Sequence, residues 1–184
     1  MKEFKNILLV SGSGRDCGKT TLACNIIRQL RNAGRVIGLK ITPHFHITGI
    51  EQQLIEEGSG YKIFRETDIH SEKDSSRMLR AGATYVYFIQ CEDGFLPGVY
   101  ERLTELIPEN YPVVCESGSF SSVYQSGFHV LIESENPDNL KKSYKLNLKK
   151  ANLILSTNEF SITDVNYGFE YLDLQWEVNK YKLD

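Results

Sequence analysis

Residues 7–21, Ile-Leu-Leu-Val-Ser-Gly-Ser-Gly-Arg-Asp-Cys-Gly-Lys-Thr-Thr, constrain this chain more than any other stretch. The short apolar run Ile7–Val10 reads as a strand buried on both faces. It enters a glycine-punctuated loop that ends in Gly18-Lys19-Thr20, and Leu22, Ala23, Ile26, Ile27, Leu30 and Ala33 then recur at helical spacing. Strand, glycine loop, Gly-Lys-Thr and helix form the context in which successive backbone N–H groups and a helix dipole converge on one anion. Glycines let a phosphate approach without a Cβ in the way. The spacing therefore assigns the phosphate contacts to Gly12, Ser13, Gly14, Arg15, Asp16, Cys17, Gly18, Lys19, Thr20 and Thr21. Lys19 supplies a compact positive charge for the outer phosphates, and the Thr20 hydroxyl suits a Mg2+ shell.

The common phosphate loop carries glycine five places before its last glycine, where this chain has Ser13; the spacing from Gly12 is Gly-x5-Gly-Lys-Thr. That longer spacing resembles dethiobiotin synthetase and related amidoligase-type P-loop enzymes. Cys17, inside the loop at a helix start, reads either as a redox-sensitive thiol or as a small residue that fits.

Beyond the loop, the pattern continues as alternating strands and helices. Arg35–Ile41 reads as a second strand, parallel to the first across a right-handed crossover, and places Lys40 at the strand end where open α/β sheets bind ligands. Residues 47–70 read as an excursion beside that strand, with weak helical spacing over Glu51–Glu57 and an alternating segment over Tyr61–Glu66 that together suggest a hairpin. A short helix over Glu72–Gly82 with Ser71 as its cap turns Met78, Leu79 and Ala81 inward. Further strands are expected over Ala83–Ile89, Pro112–Glu116, Phe128–Ile132 and Asn152–Ser156, with helices from Pro97 to Ile107 and Leu140 to Lys150. The tail from Val165 alternates and suits an edge hairpin or a short terminal helix. The fold class expected is a three-layer, doubly wound, mostly parallel α/β sheet over residues 1–184 as one domain.

A second set of candidates lies at the strand ends. Glu116 closes a strand and suits the ordering of Mg2+ or its water, as a partner of Thr20; the plain alternative is a charge where the strand meets solvent. Lys40 suits a transferring phosphate or an acidic co-substrate. Asp74 and Arg77 open the helix after Ser71, facing the phosphates or merely capping. His44 and His46 read as metal ligands, ligand contacts or exposed side chains. Lys19 and Glu116 are the catalytic candidates; Thr20 and Glu116 are the metal candidates. Where a guanine-selective protein carries Asn-Lys-x-Asp, this chain has Asn158-Glu159-Phe160-Ser161, which keeps only Asn158 and leaves the choice between GTP and ATP open.

The net charge of −3 comes with no Lys/Arg-rich face, so nothing recruits nucleic acid by phosphate neutralisation. No apolar run approaches membrane-spanning length, and the N-terminus has no export signal, so Cys17, Cys24, Cys91 and Cys115 are expected as reduced thiols in a cytoplasmic protein.

Three stretches resemble the accessory protein of molybdopterin-guanine dinucleotide biosynthesis, the MobB family of P-loop NTPases (SIMIBI-like): Gly12–Leu22, Gly38–His46, and Lys73-Asp-Ser-Ser-Arg-Met-Leu-Arg-Ala-Gly-Ala83. Val113–Glu116 is similar to that family's strand ending in glutamate. The resemblance implies a homodimeric nucleotide-binding protein with weak GTPase activity, Mg2+ as cofactor, and a molybdenum-cofactor nucleotidyltransferase as partner. The chain departs from the family where Lys-His-x-His-His becomes Lys40-Ile-Thr-Pro-His44-Phe-His46, and where Glu-Gly-Phe-Lys becomes Glu116-Ser-Gly-Ser. An ATP-dependent ligase of the dethiobiotin synthetase type and a non-hydrolysing nucleotide-binding module are the rival readings.

Overall fold

The computed structural model describes residues 1–45, 52–134, 140, 143–157 and 167–180. β1 (Lys2–Gly12) sits inside the sheet, with β6 (Val113–Glu116) on one side and β7 (Tyr124–Glu133) on the other, both parallel to it. Parallel pairing continues outward through β2 (Ile37–Thr42) and β5 (Tyr85–Cys91) beyond β6, and through β8 (Leu153–Ser156) beyond β7. β3 (Gln52–Gly58) and β4 (Tyr61–Glu66) form an antiparallel hairpin that joins the sheet along β5. Among the described residues the order is β3-β4-β5-β2-β6-β1-β7-β8, a mostly parallel α/β sheet.

The period of two along β1 divides the core. Leu8 and Val10 face α1 (Lys19–Leu30) and α2 (Asp74–Arg80), packing on Leu22, Ile26, Ile27 and Met78. Ile7 and Leu9 face the opposite layer, where a 3-10 turn (Leu96–Val99), α3 (Tyr100–Leu106) and α4 (Phe120–Val123) supply Leu96, Val99, Leu103 and Phe120. Strands buried on both sides explain why these segments read as continuous apolar runs rather than alternating ones. Each such side chain contributes about 1.5–3 kcal/mol of burial.

Several details differ from expectation. Gln52–Gly58 is strand, where helical spacing over Glu51–Glu57 was expected, and the hairpin lies beside β5 instead of β2. β2 has no free edge to offer, because β5 and β6 occupy both of its sides. α4 follows Glu116 within four residues and was not foreseen. The C-terminal pair β9 (Tyr167–Leu172) and β10 (Gln175–Lys180) is a hairpin, but it forms its own two-stranded sheet. It covers α1: Phe169 is buried among the helix side chains, its N–H donates to Gln29 Oε1 at 3.0 Å, and Gln29 Nε2 returns to Tyr167 O at 3.2 Å. α5 (Tyr144–Lys150) turns inward the polar Asn147, which receives the Ser121 hydroxyl and donates to Gly118 O at 3.1 Å.

Two glycines permit close approaches that set the sheet. Gly38 leaves room for Met78, since a Cβ there would lie 3.1 Å from Met78 Cε, and so α2 can settle over β2. In β7, Gly127 meets β1 where the register of that pair shifts between Phe4 and Leu8; a Cβ there would stand 1.9 Å from Lys5 O. Gly127→Ala should therefore lower stability by about 1–3 kcal/mol, as overpacked sites do. Urea unfolding read by fluorescence measures this, and a midpoint equal to that of the parent would contradict the contact.

Candidate functional site

The loop from Gly12 to Gly18 carries its fold in its backbone. Asp16 (φ 52°) and Gly18 (φ 87°) are left-handed, and α1 starts directly after Gly18. No side chain caps α1, and its first turn holds no acidic residue. Among the described residues, none accepts a hydrogen bond from the N–H groups of Gly14 to Gly18. An uncapped helix start beside amides that no described residue accepts from is suited to an anion.

Lys19 lies back across the loop, its Nζ donating to Gly14 O at 2.7 Å and reaching Cys17 Sγ at 3.3 Å. Gly12 must be glycine here, because a Cβ would stand 2.3 Å from Cys17 Sγ. Ser13 and Cys17 turn inward and are buried. Ser13 N donates to Ile132 O at 2.9 Å, and Ser134 N donates to Ser13 Oγ at 2.9 Å, which pins the loop to the end of β7. Arg15 and Asp16 are exposed at the mouth.

The loop opens onto a cleft of about 1070 Å3 whose wall includes Arg15, Asp16, Gly18, Lys19, Thr20 and Thr21, and also Lys40, Asp74, Arg77 and Glu116. Four of these close a ring. Thr20 Oγ1 lies 2.9 Å from Asp74 Oδ1 and 2.8 Å from Glu116 Oε2. Lys40 Nζ lies 2.6 Å from Asp74 Oδ2 and 2.6 Å from Glu116 Oε1. Arg77 flanks the ring, 3.4 Å from Thr21 Oγ1 and 3.9 Å from Asp74 Oδ1. Burial is the largest single influence on Lys40 and opposes its charge, but Glu116 and Asp74 together outweigh it and raise its pKa. Burial likewise pushes the Asp74 carboxyl up, yet the Lys40 charge and the hydrogen bonds from Lys40 and Thr20 carry it below the ordinary value.

The fold supplies each member of the ring. Thr20 opens α1, Lys40 and Glu116 are direct neighbours in the β2–β6 register, and Asp74 opens α2. The start of α2 is held by Glu66, a buried carboxylate that sequence reading missed. Glu66 Oε2 accepts from Ser75 Oγ at 2.6 Å and Gln52 Nε2 at 2.6 Å, and Oε1 accepts from the N–H groups of Thr67 at 3.1 Å and Asp68 at 3.0 Å. The only sequence signal for it is an acidic residue ending an alternating apolar strand. Ser71 does not cap the helix with its side chain; the cap position is Lys73.

The ring fits a small hard cation. Thr20 has a single hydroxyl proton for two carboxylate oxygens within 2.9 Å, so one of those contacts always brings two acceptors together. Lys40 Nζ now sits between the carboxylates and would have to leave them. The remaining ring atoms, from Thr20, Asp74 and Glu116, are all oxygen, as Mg2+ prefers, and few protein ligands suffice because Mg2+ keeps several waters. Among the described residues no group of three or more His, Cys, Asp and Glu side chains gathers as a metal cluster. His44 is exposed on the cleft wall; His46 and Asn158 lie outside the described residues.

No family model matches the sequence, and no curated protein matches it. Among solved structures, LpxK from Aquifex aeolicus, crystallised with ATP in a form called apo, superposes with a TM-score of 0.51. The superposition covers 95% of this chain at 15% identity and 54% of the LpxK chain, so this chain spans about half the length of that protein. The fold is the mostly parallel α/β sheet that this chain shares with LpxK. At this identity the likeness speaks for the architecture alone. No helix among the described residues is long and apolar enough to cross a membrane.

The lowered Asp74 pKa carries a sign. Its ionised form is stabilised by folding, so its contribution is present above the ordinary carboxylate pKa of about 3.9 and is lost as pH falls through the lower folded value. Lys40, shifted upward, contributes below its ordinary pKa of about 10.4 and loses that contribution as pH rises through the folded value. Asp74→Asn should therefore flatten the acid-side fall of Tm relative to the parent. Melts between pH 2 and pH 6, a range of about four units around the carboxylate pKa, measure it; parallel profiles would contradict the pairing.

Proposed function

We propose that this chain binds a nucleoside triphosphate, GTP or ATP, together with Mg2+. The observation that carries the reading is the uncapped start of α1, with N–H groups from Gly14 to Gly18 that have no acceptor among the described residues, beside a cleft walled by Lys19 and Thr20. A helix start without a cap, an acidic residue or a partner for its loop amides awaits an anion.

In this reading the loop amides cradle the phosphates. Lys19 exchanges the Gly14 carbonyl for phosphate oxygens, which gain its charge at the expense of one neutral acceptor. Thr20, Glu116 and Asp74 hold Mg2+, which when bound neutralises charge on the outer phosphates. Lys40 and Arg77, which line the same cleft as Thr20, would stand toward the terminal phosphate. Hydrolysis is slow without help: Arg77 is already engaged with Thr21 and Asp74, and a partner completes the site.

The finer assignment follows the sequence resemblance: a homodimeric, cytoplasmic accessory protein with weak GTPase activity, supporting the enzyme that attaches guanine nucleotide to molybdopterin. The departures at Ile41–His44 and Ser117–Ser119 fall beside Lys40 and Glu116, where a second substrate would be met. A second reading is favoured by the extent of the cleft, which continues past Lys40 to Pro43, Phe45 and Phe88. That extension suits the co-substrate of an ATP-dependent ligase.

Titration calorimetry with ATP and GTP, with and without Mg2+, tests the reading. Lys19→Ala should weaken triphosphate binding about ten- to hundred-fold, the worth of one charge-assisted hydrogen bond, while Tm moves by only a few degrees. Equal triphosphate affinity in parent and variant, or affinity indifferent to Mg2+ in the parent, would count against it.

A further inference from the structure

The two carboxylates that face the phosphate loop already hold a cation, and it belongs to the protein. One oxygen of each carboxylate faces Thr20 Oγ1, and the other faces Lys40 Nζ at 2.6 Å. Two negative charges against one positive leave the ring with a single net negative charge. That is enough to keep the ammonium in place. It is too little to draw in a divalent cation while the ammonium remains, since the two cations would stand side by side between the same oxygens. The other nearby cations do not alter this. Lys19 is committed to the Gly14 carbonyl, and Arg77, 3.9 Å from Asp74 Oδ1, adds positive charge beside the ring that further disfavours a divalent cation.

The Lys40 backbone is fixed, paired with Glu116 on one side and Phe88 on the other. Its ammonium rides on a flexible four-carbon stem, and the side chain is 15% exposed on the cleft wall. It can therefore leave the carboxylates, but only toward another anion, because a buried ammonium stripped of both partners carries a heavy desolvation penalty. Lys40 and Thr20 line the same cleft, so a phosphate bound there beyond Thr20 would be such an anion, and in the triphosphate reading it is the third.

We propose that Lys40 couples divalent-cation binding to the presence of a third phosphate: its ammonium gives up Asp74 and Glu116 only when a terminal phosphate accepts it. A triphosphate then completes the exchange of cations, and a diphosphate leaves Lys40 on the carboxylates and the metal weakly held. This rests on the triphosphate reading above. It adds a means by which the site distinguishes the charged from the spent nucleotide.

The test begins without nucleotide. Mn2+ is titrated into the free protein and followed by electron paramagnetic resonance. The parent should bind weakly, and Lys40→Met should bind at least about ten-fold more tightly, because the competing charge is gone. Adding Glu116→Gln to that variant should abolish the gain, and Lys40→Arg, which keeps the charge, should stay weak. If Lys40→Met does not fold, as a melt reveals, Lys40→Gln replaces it. A purely structural ion pair predicts no gain in either variant, and that result overturns the inference, as does tight Mn2+ binding by the nucleotide-free parent. In the second arm, the parent in Mg2+ should prefer ATP over ADP, or GTP over GDP, by at least about ten-fold, and the Lys40 variant should lose most of that preference. A parent preference near unity also overturns it. Failure of the parent to bind any nucleoside triphosphate defeats the underlying reading instead, with the Mn2+ arm still deciding whether Lys40 guards the carboxylates.

Discussion

A carboxylate shut away from water needs positive charge and hydrogen-bond donors around it, and Glu116, with its side chain 2% exposed, sets that condition on the whole molecule. Lys40 meets it only if β2 lies directly beside β6 in the register that makes the two residues neighbours. Thr20 meets it only if α1 begins where the loop ends. Asp74 joins only if α2 descends onto β2, which Gly38 permits and Glu66 secures. Four elements from distant parts of the chain are thus held to one geometry by one buried charge. Removing a single partner from such an arrangement typically costs about 3–5 kcal/mol, whereas an exposed pair would cost almost nothing.

What could be read in advance follows from this. The strand, loop and helix of residues 7–30 are contiguous in sequence, so spacing alone revealed them, although the bonds that pin Ser13 to the end of β7 left no trace. Glu116 and Lys40 were visible as strand-end residues. Their direct contact was not, because 76 residues separate them and only the strand order brings them together. The hairpin was misread over Gln52–Gly58 for a definite reason. The register slips between Leu54 and Glu56, and the irregularity breaks the alternation by which a strand is recognised. α4 is too short to carry a period of 3.6. The inward turn of Cys17, against Gly12 and Lys19, depends on the exact dihedrals of the loop and leaves no trace in composition.

The cluster also explains why the two layers are not equivalent. The face carrying α1 and α2 combines a dry interior with charged groups at its upper rim, where both helices start. The opposite face, with Leu96, Val99, Leu103 and the rings of Phe4, Phe120 and Tyr124, is an aromatic and aliphatic packing layer. Asn147 belongs to that side yet reaches Gly118, two residues beyond Glu116, and Ser117 receives the N–H groups of Ser119 and Phe120. The packing layer thereby steadies the turn that follows the buried carboxylate.

The C-terminal hairpin lies against α1, with Phe169 sunk between helix side chains and Gln29 clasping the backbone on either side of Gly168. Gln29 and Tyr167 stand 138 residues apart in sequence, so on the ribosome α1 emerges well before its cover. Until the hairpin follows, the helix that presents the loop has one flank bare, and chaperones and proteases would meet that segment complete in sequence and incomplete in structure.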